Sequence, residues 1–220
     1  MNLFFGPGRE RQVILCTDVR KYLPNDRKHH YQDGRSMAEA AKCWCSAGGS
    51  LPKSIVEVVG NDQLIAAHFE YPTEVWGRGT SMTDVMAFIP NGVIGVEAKV
   101  DEPFGAIVSA WIFEDEKNNP DSPPHRTAVI QQYARALNVS SIKLLDIRYQ
   151  LLHRTLAAAI TAKKHSASNA WMIVQSFSAA SNLTQSANRS DFDRFFELLG
   201  PAPTFNSIQV RLAWVSDKLS

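Results

Sequence analysis

The chain has 220 residues, 45% hydrophobic and 20% charged, which is enough apolar material for a substantial core and excludes a disordered polypeptide. Its 23 Lys and Arg oppose 22 Asp and Glu, for a net charge of +1. No whole-molecule field therefore draws it onto a polyanion, and any nucleic-acid contact has to come from a local basic patch.

The length suits one domain over 1–220. The start, MNLFFGPGRER, is apolar for only a few residues, too short for a signal-peptide core or a membrane span, so a cytoplasmic protein with no membrane partner is expected. Residues 1–35 read as an irregular basic arm carrying Arg9, Arg11, Arg20, Lys21, Arg27, Lys28, His29 and His30. No aromatic residues are interleaved for base stacking, so a solvated surface explains these charges better than a single-strand binding site. The three cysteines, Cys16, Cys43 and Cys45, are an odd number with the wrong spacing for zinc.

Ser36 with Glu39 three residues on has the spacing of a capping box and predicts a helix that Gly48-Gly49 stops. SIVEVV and QLIAAHFEY are short, apolar and partly β-branched, and predict strands joined by a turn at 60–62. TDVMAFIP and VIGVEAKV flank Asn91-Gly92, a strong hairpin signal. Residues 101–140, with NNPDSPPH at their centre, read as a long excursion. Ser141 then opens a long helical pattern with Ile142, Leu145, Tyr149, Leu152, Leu156 and Ala159 on one face and Arg148, Gln150, His153 and Arg154 on others. NAWMIVQSFS predicts a strand, DFDRFFELLG a helix and SIQVRLAWVS a last strand. The fold class is mixed α/β, a central mixed sheet flanked by helices. Trp44, Trp111, Trp171 and Trp214 are assigned to core or rim positions.

VIGVEAKV is the anomaly, because it reads as a central strand yet contains Glu97 and Lys99, and burying an unpaired ion costs several kcal/mol. An even loop about Asn91-Gly92 sets Asp84 opposite Lys99 and Met86 opposite Glu97, with all three polar groups on one face. Asp84 and Glu97 are then diagonal neighbours, roughly 7 to 8 Å apart at the backbone, and can converge on one Mg2+ with oxygen ligands at about 2.0 to 2.1 Å. A three-residue loop with a glycine bulge is equally compatible with IPNGV and sends Asp84 to the other face. The bland alternative is a buried Glu97–Lys99 ion pair without chemistry.

An acidic residue, a hairpin and then Glu-x-Lys, as in TDVMAFIPNGVIGVEAKV, resembles the signature of the PD-(D/E)XK nuclease superfamily of restriction endonucleases and RecB-type exonucleases. Thr83 stands where the superfamily's name has Pro. The likeness covers about 36–178, and VEAKVDEPFG and RYQLLHRT are similar to an uncharacterised bacterial family placed there. It implies a restriction-endonuclease-like αβββαβ core. It also implies Mg2+ or Mn2+ held by Asp84, Glu97 and the Ala98 carbonyl, with Lys99 orienting water or stabilising charge on the phosphate. Glu39 and Glu70 are further candidate carboxylates, Gln150 and His153 further candidate site residues, and Arg148 and Arg154 candidate phosphate binders.

The function this leads to is a divalent-metal-dependent nuclease acting on DNA, with RNA as the other candidate substrate and a homodimer as the assembly expected of the class. Alternatives are a non-cutting nucleic-acid-binding or regulatory protein on the same fold, and a small-molecule phosphohydrolase.

Overall fold

The structure, a computed structural model, describes the chain except residues 1, 77–79, 119–124, 178–181, 206 and 220. In chain order it contains β1 (Leu3–Phe5), α1 (Asp18–Tyr22), α2 (Ser36–Ser46), α3 (Lys53–Val59), β2 (Ala66–Glu74), β3 (Thr80–Ile89), β4 (Gly92–Lys99), α4 (Val108–Asn118), α5 (His125–Leu137), α6 (Tyr149–Lys164), β5 (Asn169–Ser176), α7 (Leu183–Leu199), β6 (Thr204–Phe205) and β7 (Ile208–Ser216). The seven strands form one sheet in the order β1-β2-β3-β4-β5-β7-β6. β2, β3 and β4 run antiparallel to their neighbours in that trio, whereas β1/β2, β4/β5 and β5/β7 pair in parallel. The sheet is therefore mixed, and helices cover both faces.

β4 lies in the middle, and all eight of its residues are buried. Alternate residues of a strand point to opposite faces. Met86, Val93, Met172 and Val174 therefore meet Tyr133, Leu152, Leu156, Phe192 and Phe195 of α5, α6 and α7. Val85, Ile94, Val96 and Ile173 meet Trp44 of α2, Ile55 of α3 and Val19 of α1 on the other side. Glu97 and Lys99 fall in line with Val93, so they point to the face covered by α6. Gly95 lies on that face too, where an added Cβ would come within 3.2 Å of Ala158 Cβ, so its lack of a side chain is what lets α6 lie close over β4.

Several elements differ from the sequence expectations. SIVEVV is helical in α3, not a strand. Pro52 precedes it, its carbonyl accepting the N–H groups of Ile55 and Val56, and Gly60 closes it at φ 74. The propensity cost of its β-branched residues is a few tenths of a kcal/mol each. Complete burial of Ile55 returns about 1.5 to 3 kcal/mol.

The 101–140 excursion holds α4 and α5. In α5, Val129, Ile130, Tyr133, Ala134 and Leu137 keep a helical apolar period, while the centre of NNPDSPPH, 119–124, lies outside the described residues. The helix predicted from Ser141 begins only at Tyr149. Residues 141–144 make a 3-10 turn, and the segment before Tyr149 is held extended because Ile147 accepts from the Val108 N–H and the Tyr149 N–H donates to Ala106. Residues 1–35 are not an irregular arm either. β1 adds a parallel edge strand to β2, and Leu3, Val13, Val19 and Leu23 are buried. Among the described residues no helix is long and apolar enough to cross a membrane.

Candidate active site

The β3–β4 hairpin closes with Ile89 paired to Gly92, so Pro90-Asn91 forms the two-residue loop, with Asn91 at φ 59. The loop is even, as expected, but lies one residue earlier than Asn91-Gly92. Gly92 is instead a strand residue whose missing Cβ leaves room for Trp171, since one there would fall 2.7 Å from its ring. This register keeps Asp84 on the face of Glu97 and moves the two level. The last regular pair is Val85 with Val96, and one further step brings Asp84 opposite Glu97, not diagonal to it. Asp84 Oδ2 accepts the Ala98 N–H at 2.8 Å, which pins its side chain across the end of the ladder.

Glu70 completes a row of three. Phe69 pairs with Val85 and Tyr71 with Thr83, so Glu70 sits opposite Asp84, its own backbone at φ 51. Neighbouring strands are roughly 4.7 to 4.9 Å apart, and Glu70, Asp84 and Glu97 thus occupy one level of β2, β3 and β4. All three line a cleft of about 400 Å³. Ala98, Lys99, Gln150 and Glu102 line the same cleft, and so do Arg27, His29 and Arg35 from the N-terminal segment.

The three carboxylates have different partners. Glu97, 2% exposed, accepts from Arg154 Nε at 2.5 Å on Oε2, and from Gln150 Nε2 at 2.5 Å and Lys99 Nζ at 3.0 Å on Oε1. Burial alone would raise its pKa, but the Arg154 and Lys99 cations outweigh burial and bring it down to about 2. Among the described residues no such cation contacts Asp84. Burial, reinforced by the neighbouring Glu97 charge, holds its carboxyl well above the ordinary aspartate range. Glu70 accepts from Arg27 at 2.9 Å, yet burial still leaves its pKa raised.

Lys99 Nζ also donates to Gln150 Oε1 at 3.2 Å and lies 5.1 Å from the Phe104 ring centre. The result is a chain from Arg154 through Glu97 to Lys99 and Gln150, anchored by the second donation of Arg154 to Ser81 Oγ at 2.7 Å.

The remaining candidates divide. Gln150 joins the cleft, as the resemblance implied. Arg154 is buried against Glu97 and Ser81, so it is not a free phosphate binder; its role is to neutralise Glu97. Arg148 donates to Asp191 Oδ2 at 2.8 Å and to the Gly105 carbonyl, tying α6 to α7 outside the cleft. His153 stacks on Tyr149 at 4.8 Å within a Trp111–Tyr149–His153 series, and burial, with Arg154 adding to it, lowers its pKa to about 3. Glu39 accepts from the Gly34 N–H and from Lys42 at 2.8 Å. Its helix starts after Arg35 without a side-chain cap, so Glu39 belongs neither to a capping box nor to the cleft.

The helical interval of four explains the division on α6, because Gln150 and Arg154 share one face and Tyr149 and His153 the next. That spacing was readable in the sequence, whereas nothing there singled out Ser81 or Arg35.

The carboxylates of Glu70, Asp84 and Glu97 and the Ala98 carbonyl are oxygen donors that suit a hard divalent ion, and His29 lines the same cleft. Among the described residues no three His, Cys, Asp or Glu side chains converge closely enough to form a ready metal cage. Mg2+, however, typically binds through one or two carboxylates and keeps waters, and Asp84, a half-buried acid with no contacting cation among the described residues, is the carboxylate such an ion would relieve. A family model described as "Domain of unknown function (DUF6946)" matches residues 14–219. No curated protein and no solved structure matches the chain.

Proposed function

Since the chain belongs to that family, whose description carries no activity, the reading rests on the cleft, and we propose that it is the active site of a divalent-metal-dependent nuclease acting on DNA or RNA. The observation that carries this reading is Asp84 level with Glu97 on adjacent strands, with Lys99 on the same face and in the same cleft. The order α2, β2, β3, β4, α6, β5 supports a restriction-endonuclease-like αβββαβ core of the PD-(D/E)XK kind, with α3 inserted before β2 and α4 and α5 before α6. Asp84, Glu97 and the Ala98 carbonyl would hold Mg2+ or Mn2+, and Glu70 lies in the same row. The bound ion supplies Lewis-acid activation of water and charge neutralisation at the phosphate.

The chain's own groups do the rest. Lys99 stands as a buried cation, positioned by Glu97 and Gln150 to stabilise negative charge developing on a phosphate oxygen. Arg154 holds Glu97 ionised, so that its carboxylate is ready as a ligand without first losing a proton. Arg27 and Arg35 border the cleft, Arg27 paired with Glu70 and Arg35 3.7 Å from Asp101, and they are the guanidinium groups that a phosphate backbone would meet at the cleft mouth.

One observation favours a second reading, a non-cutting member of the same fold: Glu97 already has Arg154, Lys99 and Gln150 on its two oxygens, a closed ion-pair cluster that is satisfied without metal. Two experiments together separate the readings. Supercoiled, linear and single-stranded DNA and RNA are incubated with wild type, Asp84→Ala and Lys99→Met in Mg2+ or Mn2+, and Mn2+ binding is followed by calorimetry. The nuclease reading expects metal-dependent cleavage lost in both folded variants, and Mn2+ binding lost in Asp84→Ala. Absence of both cleavage and Mn2+ binding in wild type would establish the non-cutting reading.

A further inference from the structure

A second cavity, about 360 Å³ in volume, opens at the hairpin end of the same strands. It lies near Gly92, five residues along β4 from Glu97, so about 16 Å away at ~3.3 Å per residue. Its size falls within the range of small-ligand pockets, about 300 to 1,000 Å³.

The walls of this cavity combine four rings with aliphatic side chains such as Ile65, Ile89 and Val93. His68, Tyr71, Phe88 and His165 all line it. His68 meets both Tyr71 and Phe88 edge-on at 5.6 Å, and Phe88 lies 4.7 Å from the His165 ring. Rings set edge to face leave flat surfaces on which another ring can lie.

Besides Tyr71, its polar lining side chains are Arg9, His68, Asn91, His165 and Ser166. Among the described residues no Asp or Glu lines the cavity, so a cation would find no countercharge there. Arg9 lines it and makes no ion pair among the described residues; its guanidinium carbon lies 5.9 Å from the Phe4 ring centre. His68 is buried, and its Nδ1 lies 2.8 Å from the Gly6 carbonyl. A carbonyl only accepts, so Nδ1 carries the proton. Burial keeps the ring below its ordinary pKa, and Nε2 is then a bare acceptor with no partner among the described residues. The cavity thus offers ring surfaces, the His68 Nε2 acceptor, the Asn91 amide and Ser166 hydroxyl as further polar groups, and among the described residues one guanidinium, that of Arg9, without an ion-pair partner.

We propose that this cavity binds a small molecule combining a flat aromatic ring, a hydrogen-bond donor on that ring and one anionic group. The ring lies among Tyr71, Phe88 and His165, its donor faces His68 Nε2, and its anion pairs with Arg9. A nucleoside monophosphate and a hydroxylated aromatic carboxylate share this chemistry. The assignment does not depend on nuclease activity at the other end of the sheet.

The test is calorimetric titration of the full chain with adenosine 5′-monophosphate and with 4-hydroxybenzoate. Adenosine and phenol serve as probes lacking the anion, and inorganic phosphate as a probe lacking the ring and its donor. Imidazole NMR shifts of His68 and His165 report the location. Saturable binding of either anionic aromatic probe is expected, with both imidazoles shifting, and which probe binds tells the nucleotide from the aromatic acid. Arg9→Ala, on an exposed side chain, should weaken it roughly tenfold, the loss of about one charged contact. Ile65→Trp, at a 45% exposed wall position, should block it with the fold intact by circular dichroism. The proposal is overturned if neither anionic probe binds, if the neutral rings bind as tightly, or if binding persists unchanged in both variants.

Discussion

The two ends of the β3–β4 hairpin are made from the same pair of strands and have opposite chemistry. At the Asp84–Glu97 end, α6 delivers Arg154 and Gln150 onto a strand that already carries Lys99, and a cluster of ions is buried together. At the Gly92 end, Trp171 packs against the glycine and the exposed edge is walled by His68, Tyr71 and Phe88. Stability at the first end rests on matching charges, because a buried charge deprived of its partner is far costlier than a lost apolar contact. At the second it rests on shape. The difference teaches that one central strand tolerates ions wherever a covering helix brings the countercharge, and nowhere else along its length.

The largest expected effect comes from breaking the charged end. Glu97→Ala leaves Arg154 and Lys99 buried without their carboxylate and should cost about 3 to 5 kcal/mol, read as a fall in the urea midpoint at unchanged slope. A loss of less than about 1 kcal/mol would mean that solvent already reaches the cluster. At the packed end, Gly92→Ala should cost about 1 to 3 kcal/mol by overpacking against Trp171, with Mn2+ binding in the cleft unaffected. Loss of metal binding in that variant would show the two ends to be coupled through the hairpin.

The pH dependence sharpens the contrast within the cleft itself. Glu97 has a folded pKa of about 2, below its unfolded value of about 4.3, so its stabilisation is complete above the unfolded value and drains away as pH falls toward 2. Asp84 has the opposite sign. Its folded pKa is raised, so ionisation destabilises the fold increasingly as pH rises through its unfolded value near 3.9. Asp84→Asn keeps an acceptor for the Ala98 N–H and removes that charge. Its melting temperature should exceed that of wild type at pH 7 by a few degrees, the gap closing below about pH 3.9. Mg2+ should narrow the gap by stabilising wild type alone. A variant that melts lower than wild type at pH 7 without metal would show that Asp84 is paired in solution.

Periodicity and punctuation made most of the architecture legible in the sequence. α2, the β3–β4 hairpin, β5 and β7 each combine a clear apolar period with a turn or stop signal, and so does the second half of α7, whereas α7 starts at Leu183, eight residues before the expected Asp191, with Asn182 as its cap. The failures have two causes. α3 is short enough for a Pro before it and a Gly after it to outweigh β-branched propensity, the helix before Tyr149 is interrupted by pairing with the chain near Ala106, and β1 exists only because β2 offers it an edge. The last two are decided by a partner distant in sequence, whereas α3 is decided by its flanking Pro52 and Gly60. The site follows the same division. The anomaly of charged residues in an apolar strand marked Glu97 and Lys99, and hairpin parity placed Asp84 on their face.

What the sequence determined by itself was therefore local: which segments alternate, which residues share a face and which charges have to be compensated. The tertiary structure decided which groups compensate them. Arg154 rather than a solvent-facing cation neutralises Glu97, Arg27 reaches Glu70 from the N-terminal segment, and Asp84 has, among the described residues, only the Ala98 backbone donor. Helical and strand periods fix directions within an element, but the pairing of two elements depends on how they pack, and no spacing along the chain encodes the distance between α6 and β4 except the bare Gly95 that lets them approach.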